Sequence, residues 1–341
     1  MKKFGNKFNK RKYMRTKKRY LKETKSLRKN YFKLKIFFLL IIIIMYILFI
    51  KIQYKNQDIN QLDDESRKLK VCVCTIAKLE NLYIRQFVQH YEKYGVDKIF
   101  LYDNNDKDGE RFEEVINDYI QKGFVEVTDY RGKVLAMMPF MNDCYKKNNN
   151  NYDWILFYEI DEYIHLYDYS NIKPFLNQKK FAPCQIIVLN LVCHTDNNYL
   201  YYENKPLKER FPYIVPPDKP GSRDLEKKTI VRGHINGYYI NNIHLGNIDY
   251  NTCNNTGQFE HAQIRSEIGD SKYYYIDHYY SKSTEEFIKK ITKGDAFRLD
   301  KSYAMERIDK YFIQSEITLE KIKMIEEKVH VNLTKYKEMI K

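Results

Sequence analysis

Between residues 71 and 161, short apolar runs alternate with stretches whose apolar positions recur at helical spacing. The run VCVCTIA (71–77) is too short and too rich in β-branched residues for a helix and predicts a buried strand. Ile84, Phe87, Val88 and Tyr91 then fall at i, i+3, i+4 and i+7, an amphipathic helix that should stop near Gly95. KIFLYD (98–103) predicts a second strand, with a polar turn from Asn104 to Gly109. Phe112, Val115, Ile116, Tyr119 and Ile120 mark a second helix closed by Gly123, and FVEVTDY (124–130) a third strand. A third helix over 135–147 leads into a fourth strand, WILFYEID (154–161), which ends in three carboxylates, Glu159, Asp161 and Glu162.

Strand and helix therefore alternate three times with short links, which predicts an α/β, doubly wound, mostly parallel sheet. In such sheets the ligand-binding loops lie at the carboxyl ends of the strands. Further strands are expected at 185–193, 227–233 and 273–280, with a long irregular region opening at HTDNN (194–198). Ser283-Thr-Glu-Glu286 reads as a capping box that starts a helix, and residues 300–330 read as helical. No strand is followed by a glycine-rich dinucleotide or phosphate-loop signature, which disfavours both folds.

The net charge of +14 changes meaning once it is located. Residues 1–35 hold 16 Lys/Arg against Glu23, a net of +15, so the other 306 residues carry 14 − 15 = −1. The folded part is not basic, and nucleic-acid binding is excluded as a reading of the charge. An uncharged run of 15 residues, Ile36–Ile50, follows the basic tail, flanked by Lys35 and Lys51. With those lysines snorkelling, residues 36–52 suit a transmembrane signal anchor, and the basic tail belongs on the cytoplasmic side. The resulting order is a cytoplasmic tail (1–35), an anchor (36–52), a polar stem (53–68), a lumenal domain (69–298) and a C-terminal helical extension (299–341). The expectation is a single-pass type II membrane protein with everything after Ile52 in the lumen or outside. Six cysteines lie on the lumenal side, where disulfides are permitted. Cys72 and Cys74 share one face of a strand and read as packed thiols. Two glycosylation sequons occur, at Asn254 and Asn332.

Carboxylates at a strand's carboxyl end are expensive to bury unless a positive group meets them. Asp161 suits a divalent cation, with Glu159 bonding a ribose hydroxyl, a metal-bound water or a basic group. His278, more than 100 residues later, would close the site from the other side. Mn²⁺ accepts oxygen and imidazole ligands together, and Mg²⁺ prefers oxygen. Asp103 and Asn104 suit a base or ribose, and Arg131 a phosphate or an acidic neighbour. Lys228, Arg232 and Lys282 are candidate phosphate partners.

The ordered blocks CTIAKLENLYIRQFVQHYEKYGVDKIFLYDNN, VEVTDYRG, NDCYKK, DWILFYEIDEYI and IDHYYSKSTEEFIKK resemble glycosyltransferase family 92 and its family-2-like relatives across roughly residues 70–297. The resemblance implies a GT-A fold, a nucleotide-sugar donor, a divalent metal, a glycan or glycoprotein acceptor, and a type II protein of the Golgi or endoplasmic reticulum membrane. It implies that Glu159-Ile-Asp161 is the D-x-D-type metal motif and that His278 assists it. Donor contacts would come from Thr75, Lys78, Glu80, Asp103, Asn104, Arg131 and Asp143. The chain departs from the family pattern at Lys78-Leu79-Glu80, where Lys-Asn-Glu is usual. It departs again at Glu159, where Asp is usual, and at His194–Asn198, where a small Gly/Ser-rich loop is usual. An inverting enzyme needs a carboxylate base, for which Asp196 and Glu209 are the candidates. The rival reading is a catalytically weak, membrane-anchored binding protein of the same fold.

Overall fold

The structure is a computed structural model that describes residues 37, 39–48, 68–195, 199–214, 226–259, 273–292, 323 and 326–327. The chain divides into two units, residues 1–64 and 65–341. In the first, residues 39–48 are helical with every side chain exposed. Among the described residues no helix is long and apolar enough to cross a membrane. The basic tail, the rest of the expected anchor, nearly all of the stem and most of residues 300–330 lie outside the described residues.

The second unit opens with β1 (Val71–Ala77), α1 (Ile84–Lys93), β2 (Lys98–Asp103), α2 (Glu113–Gln121), β3 (Val125–Asp129), α3 (Met137–Asn148) and β4 (Trp154–Phe157). It continues through β5 (Glu162–Leu166), α4 (Ile172–Leu176), β6 (Ile186–Thr195), α5 (Leu207–Arg210), β7 (Tyr213–Ile214), β8 (Lys227–Arg232), β9 (Thr252–Cys253), β10 (Tyr274–His278) and α6 (Thr284–Thr292). The sheet order is β3-β2-β1-β4-β8-β6-β10-β5. β1 to β4 are mutually parallel, as the strand–helix alternation requires. Beyond them the expectation needs correcting. β8 is antiparallel to β4 and β6, and β5 is antiparallel to β10, so the sheet is mixed. β10 is still parallel to β6; the physical reason for the change is that the described helices between β4 and β10 are short, Ile172–Leu176 and Leu207–Arg210, and not the longer crossover helices that return a strand parallel.

Alternation along β1 splits the core into two layers. Val71 and Val73 face α1 and α2, where Ile84, Phe87, Val88, Tyr91 and Phe112 pack. Cys72, Cys74 and Ile76 face α3 through Phe140, Met141 and Cys144. α1 ends as its glycine predicts. Gly95 has φ +76°, and a Cβ there would meet the Asn171 amide at 2.0 Å. The capping box also forms: the Ser283 amide donates to Glu286 Oε2 (3.1 Å) and the Glu286 amide to Ser283 Oγ (3.3 Å).

The expectation of a packed thiol holds for Cys72 and changes for Cys74. Cys74 is bridged to Cys144, and Cys184 to Cys253, while Cys72 and Cys193 are buried thiols. Each bridge closes a loop of about 70 residues, for which chain entropy suggests roughly 4 kcal/mol of stabilisation. The first sequon is also internal. Asn254 is buried, with its Oδ1 accepting from the Thr256 amide (2.9 Å) and hydroxyl (2.7 Å), so the folded chain offers no acceptor there. Asn332 lies outside the described residues.

β4 stops at Phe157, four residues earlier than its apolar run suggests, and Tyr158–Asp161 turn away from the sheet. The order of strands reverses between β1 and β4: β2 and β3 lie on one side of β1, and β4 on the other. Glu159 and Asp161 therefore emerge at the switch point, where open α/β sheets form their ligand crevice.

The Lys78-Leu79-Glu80 departure has a backbone consequence. Leu79 has φ +54°, pinned by its amide donating to Asn105 Oδ1 at 2.8 Å. A left-handed conformation costs a residue with a bulky Cβ substituent about 1–2 kcal/mol, and Asn tolerates it through local hydrogen bonding. Leu79→Asn should raise stability by about 1 kcal/mol, or ~2–4 °C in Tm for a domain of this size. A lower Tm by calorimetry would refute that reading.

Candidate active site

The acidic turn and β10 are brought together by sheet register. His278 pairs with Glu162 across the antiparallel β5–β10 ladder, and the Tyr279 amide donates to the Asp161 carbonyl at 3.0 Å. Directly opposed residues share a face, so the imidazole and the Glu162 carboxylate point the same way. Ligand atoms of Asp161, Glu162 and His278 all lie within 4.8 Å of one another, and all three residues are buried. Two oxygens and an imidazole nitrogen converging at that spacing fit a hexacoordinate cation such as Mn²⁺.

Glu159 is placed differently. It is 39% exposed, and its Oε1 takes the Lys228 ammonium at 2.5 Å. The same ammonium lies 3.0 Å from Glu162 Oε1, and the Glu159 amide donates to Glu162 Oε2 at 3.0 Å. One buried lysine thus holds two carboxylates. Burial opposes ionisation of both, but Lys228 brings Glu159 down to about 2, whereas burial beside Glu159 and Asp161 pushes Glu162 up to about 8. Lys228 itself is held above its usual value against burial by the same two acids.

Asp161 has three basic neighbours, all on Oδ2. Lys290 bonds it directly, His278 Nε2 stands at 3.7 Å and Lys282 Nζ at 4.0 Å. Burial works against its charge, yet Lys290, Lys282 and His278 hold it well below the carboxylate range. Lys282 is 4% exposed, lies over the Tyr83 ring (4.4 Å) and has φ +50°, a strained backbone of the kind concentrated at functional sites.

The other expected donor residues form a separate network at the carboxyl ends of β1, β2 and β3. Asp103 receives Arg131 Nε at 2.8 Å and both nitrogens of Asn105 (2.9 and 2.8 Å). Arg131 further donates to the Asp106 carbonyl (2.8 Å) and to that of Glu110, which fixes the loop after β2. Asn104 spends its amide on the carbonyls of Tyr130 (2.9 Å) and Lys133 (2.8 Å). Lys78 reaches Asp106 at 2.9 Å, and Asp143 on α3 pairs with Tyr102 (2.7 Å) and Lys147 (2.6 Å). Thr75 is buried with its hydroxyl unpartnered among the described residues. Glu80 lies close enough to act electrostatically on Lys290 and Tyr163. Arg232 covers Trp154 at 4.2 Å and donates to the Cys184 carbonyl (2.8 Å), away from the cluster.

Of the two candidate bases, Asp196 lies outside the described residues, and Glu209 is exposed on α5. Its neighbour Arg210 is fully buried and pairs with Glu286 on α6. Sequence reasoning did not single out Glu162 and Lys290 as site residues. The signal for Glu162 was its place as the third acid of the cluster. Lys290 had none beyond its helical position seven residues after Ser283.

Residues 67–312 match the profile of glycosyltransferase family 92. The chain belongs to that family. A family 92 protein of Oryza sativa subsp. japonica is 27% identical over 132 residues, covering 37% of this chain and 21% of that one. A family 92 protein of Ricinus communis is 23% identical over 126 residues, covering 37% and 22%. The chain thus spans about a fifth of the length of the curated relatives it matches. Among solved structures, S. aureus TarS 1–349 in complex with UDP-GlcNAc aligns at 13% identity with a TM-score of 0.38, covering 74% of this chain and 77% of that one. Another structure of S. aureus TarS aligns at 14% identity with a TM-score of 0.34, covering 69% and 41%.

Opposed shifts in one family 92 site make a pH test. Glu162 is raised above its unfolded value, so its contribution is fully present below about 4.5 and lost as pH rises towards about 8. Glu159 and Asp161 are lowered, so theirs is present above about 4.5 and lost as pH falls, for Glu159 through about 2. In EDTA, wild-type Tm should fall from pH 5 to pH 8, and Glu162→Gln should flatten that slope. Identical slopes would mean that Glu162 is already ionised at pH 5.

Proposed function

We propose that this family 92 chain is a glycosyltransferase that moves a sugar from a nucleotide-sugar donor to a glycan or glycoprotein acceptor, with inversion and with a divalent metal, Mn²⁺ in the first instance. The observation that carries this reading is the convergence of Asp161, Glu162 and His278 at the switch point of the sheet, ringed by lysines. Asp161, Glu162 and His278 would hold the metal. When bound, it would neutralise charge developing on the departing diphosphate. Lys282 stands beside Asp161 to meet the diphosphate, and Lys228 keeps Glu159 ionised and aimed at the crevice. Asp103, Arg131 and Asn104 build the donor wall by fixing the loops after β2 and β3, with Thr75, Lys78 and Glu80 along β1's end and Asp143 behind Tyr102. Inversion requires a base on the acceptor side. Asp196 and Glu209 are the two candidates for it.

The same reading makes residues 36–52 a membrane anchor, with the basic tail cytoplasmic and residues 69–298 in the Golgi or endoplasmic reticulum lumen. The 15-residue uncharged run, the exposed apolar helix at 39–48 and the two disulfides of the second unit support it.

With a panel of nucleotide sugars and Mn²⁺, the detergent-solubilised full chain should release intact nucleoside diphosphate. Asp161→Asn should lower that rate by about 100-fold or more, in the range of losing one electrostatic stabiliser. Release of inorganic phosphate instead, or an unaffected Asp161→Asn rate, would overturn the assignment.

A further inference from the structure

Lys290 stands where a metal would have to bind, and the role assigned to it here rests on the metal-dependent glycosyltransferase reading. All three basic side chains around Asp161 fall on the same oxygen, Oδ2, and Lys290 makes the nearest contact. A cation shared with His278 through that oxygen would compete with the Lys290 ammonium for it, since the two positive charges repel at bonding distance. Lys290 is able to leave. It projects from the last turn of α6, is 21% exposed, and its ammonium lies 4.3 Å from the centre of the Tyr280 ring, so a rotation of its stem swings the charge without unfolding anything. Lys282 lacks that freedom, being 4% exposed and held by its left-handed backbone and Tyr83.

Charge counting gives the destination. Glu159, Asp161 and Glu162 face Lys228, Lys282 and Lys290, three acidic side chains against three basic ones. A divalent cation adds two positive charges to that set, and the diphosphate of a nucleotide offsets them. We propose that Lys290 is a place-holder for the cation: it neutralises Asp161 in the empty enzyme and passes to the diphosphate when metal and nucleotide arrive. Metal alone must displace the lysine into solvent. Metal with a nucleotide offers it a new anion, so the two ligands bind with positive coupling.

The test separates competition for Asp161 from binding to the diphosphate. In the full chain, Mn²⁺ affinity without nucleotide is read from the free-ion electron paramagnetic resonance signal. Affinity for UDP and for GDP at saturating Mn²⁺ is read by equilibrium dialysis. Lys290→Met should bind Mn²⁺ alone about tenfold more tightly than wild type and the better diphosphate about tenfold more weakly. Lys290→Gln, which keeps a hydrogen-bond donor for Asp161, should shift both in the same directions and serves if the methionine variant does not fold. Lys282→Met should weaken the diphosphate without tightening Mn²⁺. Unchanged or weakened Mn²⁺ binding in the Lys290 variants, with wild type binding Mn²⁺, would overturn the place-holder while leaving the metal site standing. Failure of wild type and variants alike to bind millimolar Mn²⁺ would overturn the metal site and the place-holder with it.

Discussion

Three carboxylates meet three lysines at the end of β4, and that electrostatic balance is the constraint around which the folded unit is arranged. Removing one partner from a buried ion pair is costly, because the remaining charge is stranded in a poor solvent. Lys228, Lys282 and Lys290 come from β8, the segment after β10, and α6, so the balance ties together parts of the chain separated by more than 60 residues. The same balance explains why neighbouring acids respond in opposite directions. Lys228 lowers Glu159, burial beside Glu159 and Asp161 raises Glu162, and Asp161 is lowered by Lys290, Lys282 and His278.

Topology delivers those groups to one place. The parallel β1–β4 half sets the acidic turn at the reversal of strand order, and β10 returns antiparallel to β5 in a register that opposes His278 to Glu162. On the other side of β1, Asp103 and Arg131 fasten the loops after β2 and β3. Membership of glycosyltransferase family 92 and the geometry of the cluster rest on separate observations, one on the ordered sequence blocks and one on distances.

Much of this was legible in the chain. Periodicity 2 and 3.6 located the first four strands and three helices, because each buries one regular face, and Gly95 and Ser283–Glu286 marked helix ends through local chemistry. What stayed hidden depended on contacts distant in sequence. The apolar run 154–161 reads as one strand, but Tyr158 and Ile160 are buried in the turn, so burial continues where pairing stops. The family resemblance put Glu159 in the metal motif, whereas the structure groups Glu162 with Asp161 and His278 and gives Glu159 to Lys228, because cross-strand register selects the face. Arg131 and Asn104 carry polar atoms that are largely occupied by their own loops, an outcome that no local pattern announces. Cysteine pairing was unreadable for the same reason.

Cys72 lies two residues from Cys74 on the face that α3 covers, and it remains a thiol. During synthesis both sulfurs are exposed together for some seventy residues before Cys144 is made. Linkage of Cys144 to the wrong one would drag α3 by one pleat repeat, ~6–7 Å along the sheet. Asp143 would then be carried away from Tyr102. Correct oxidation of this chain therefore depends on the sheet assembling early enough to choose between the two sulfurs, or on thiol exchange that allows a wrong choice to be undone.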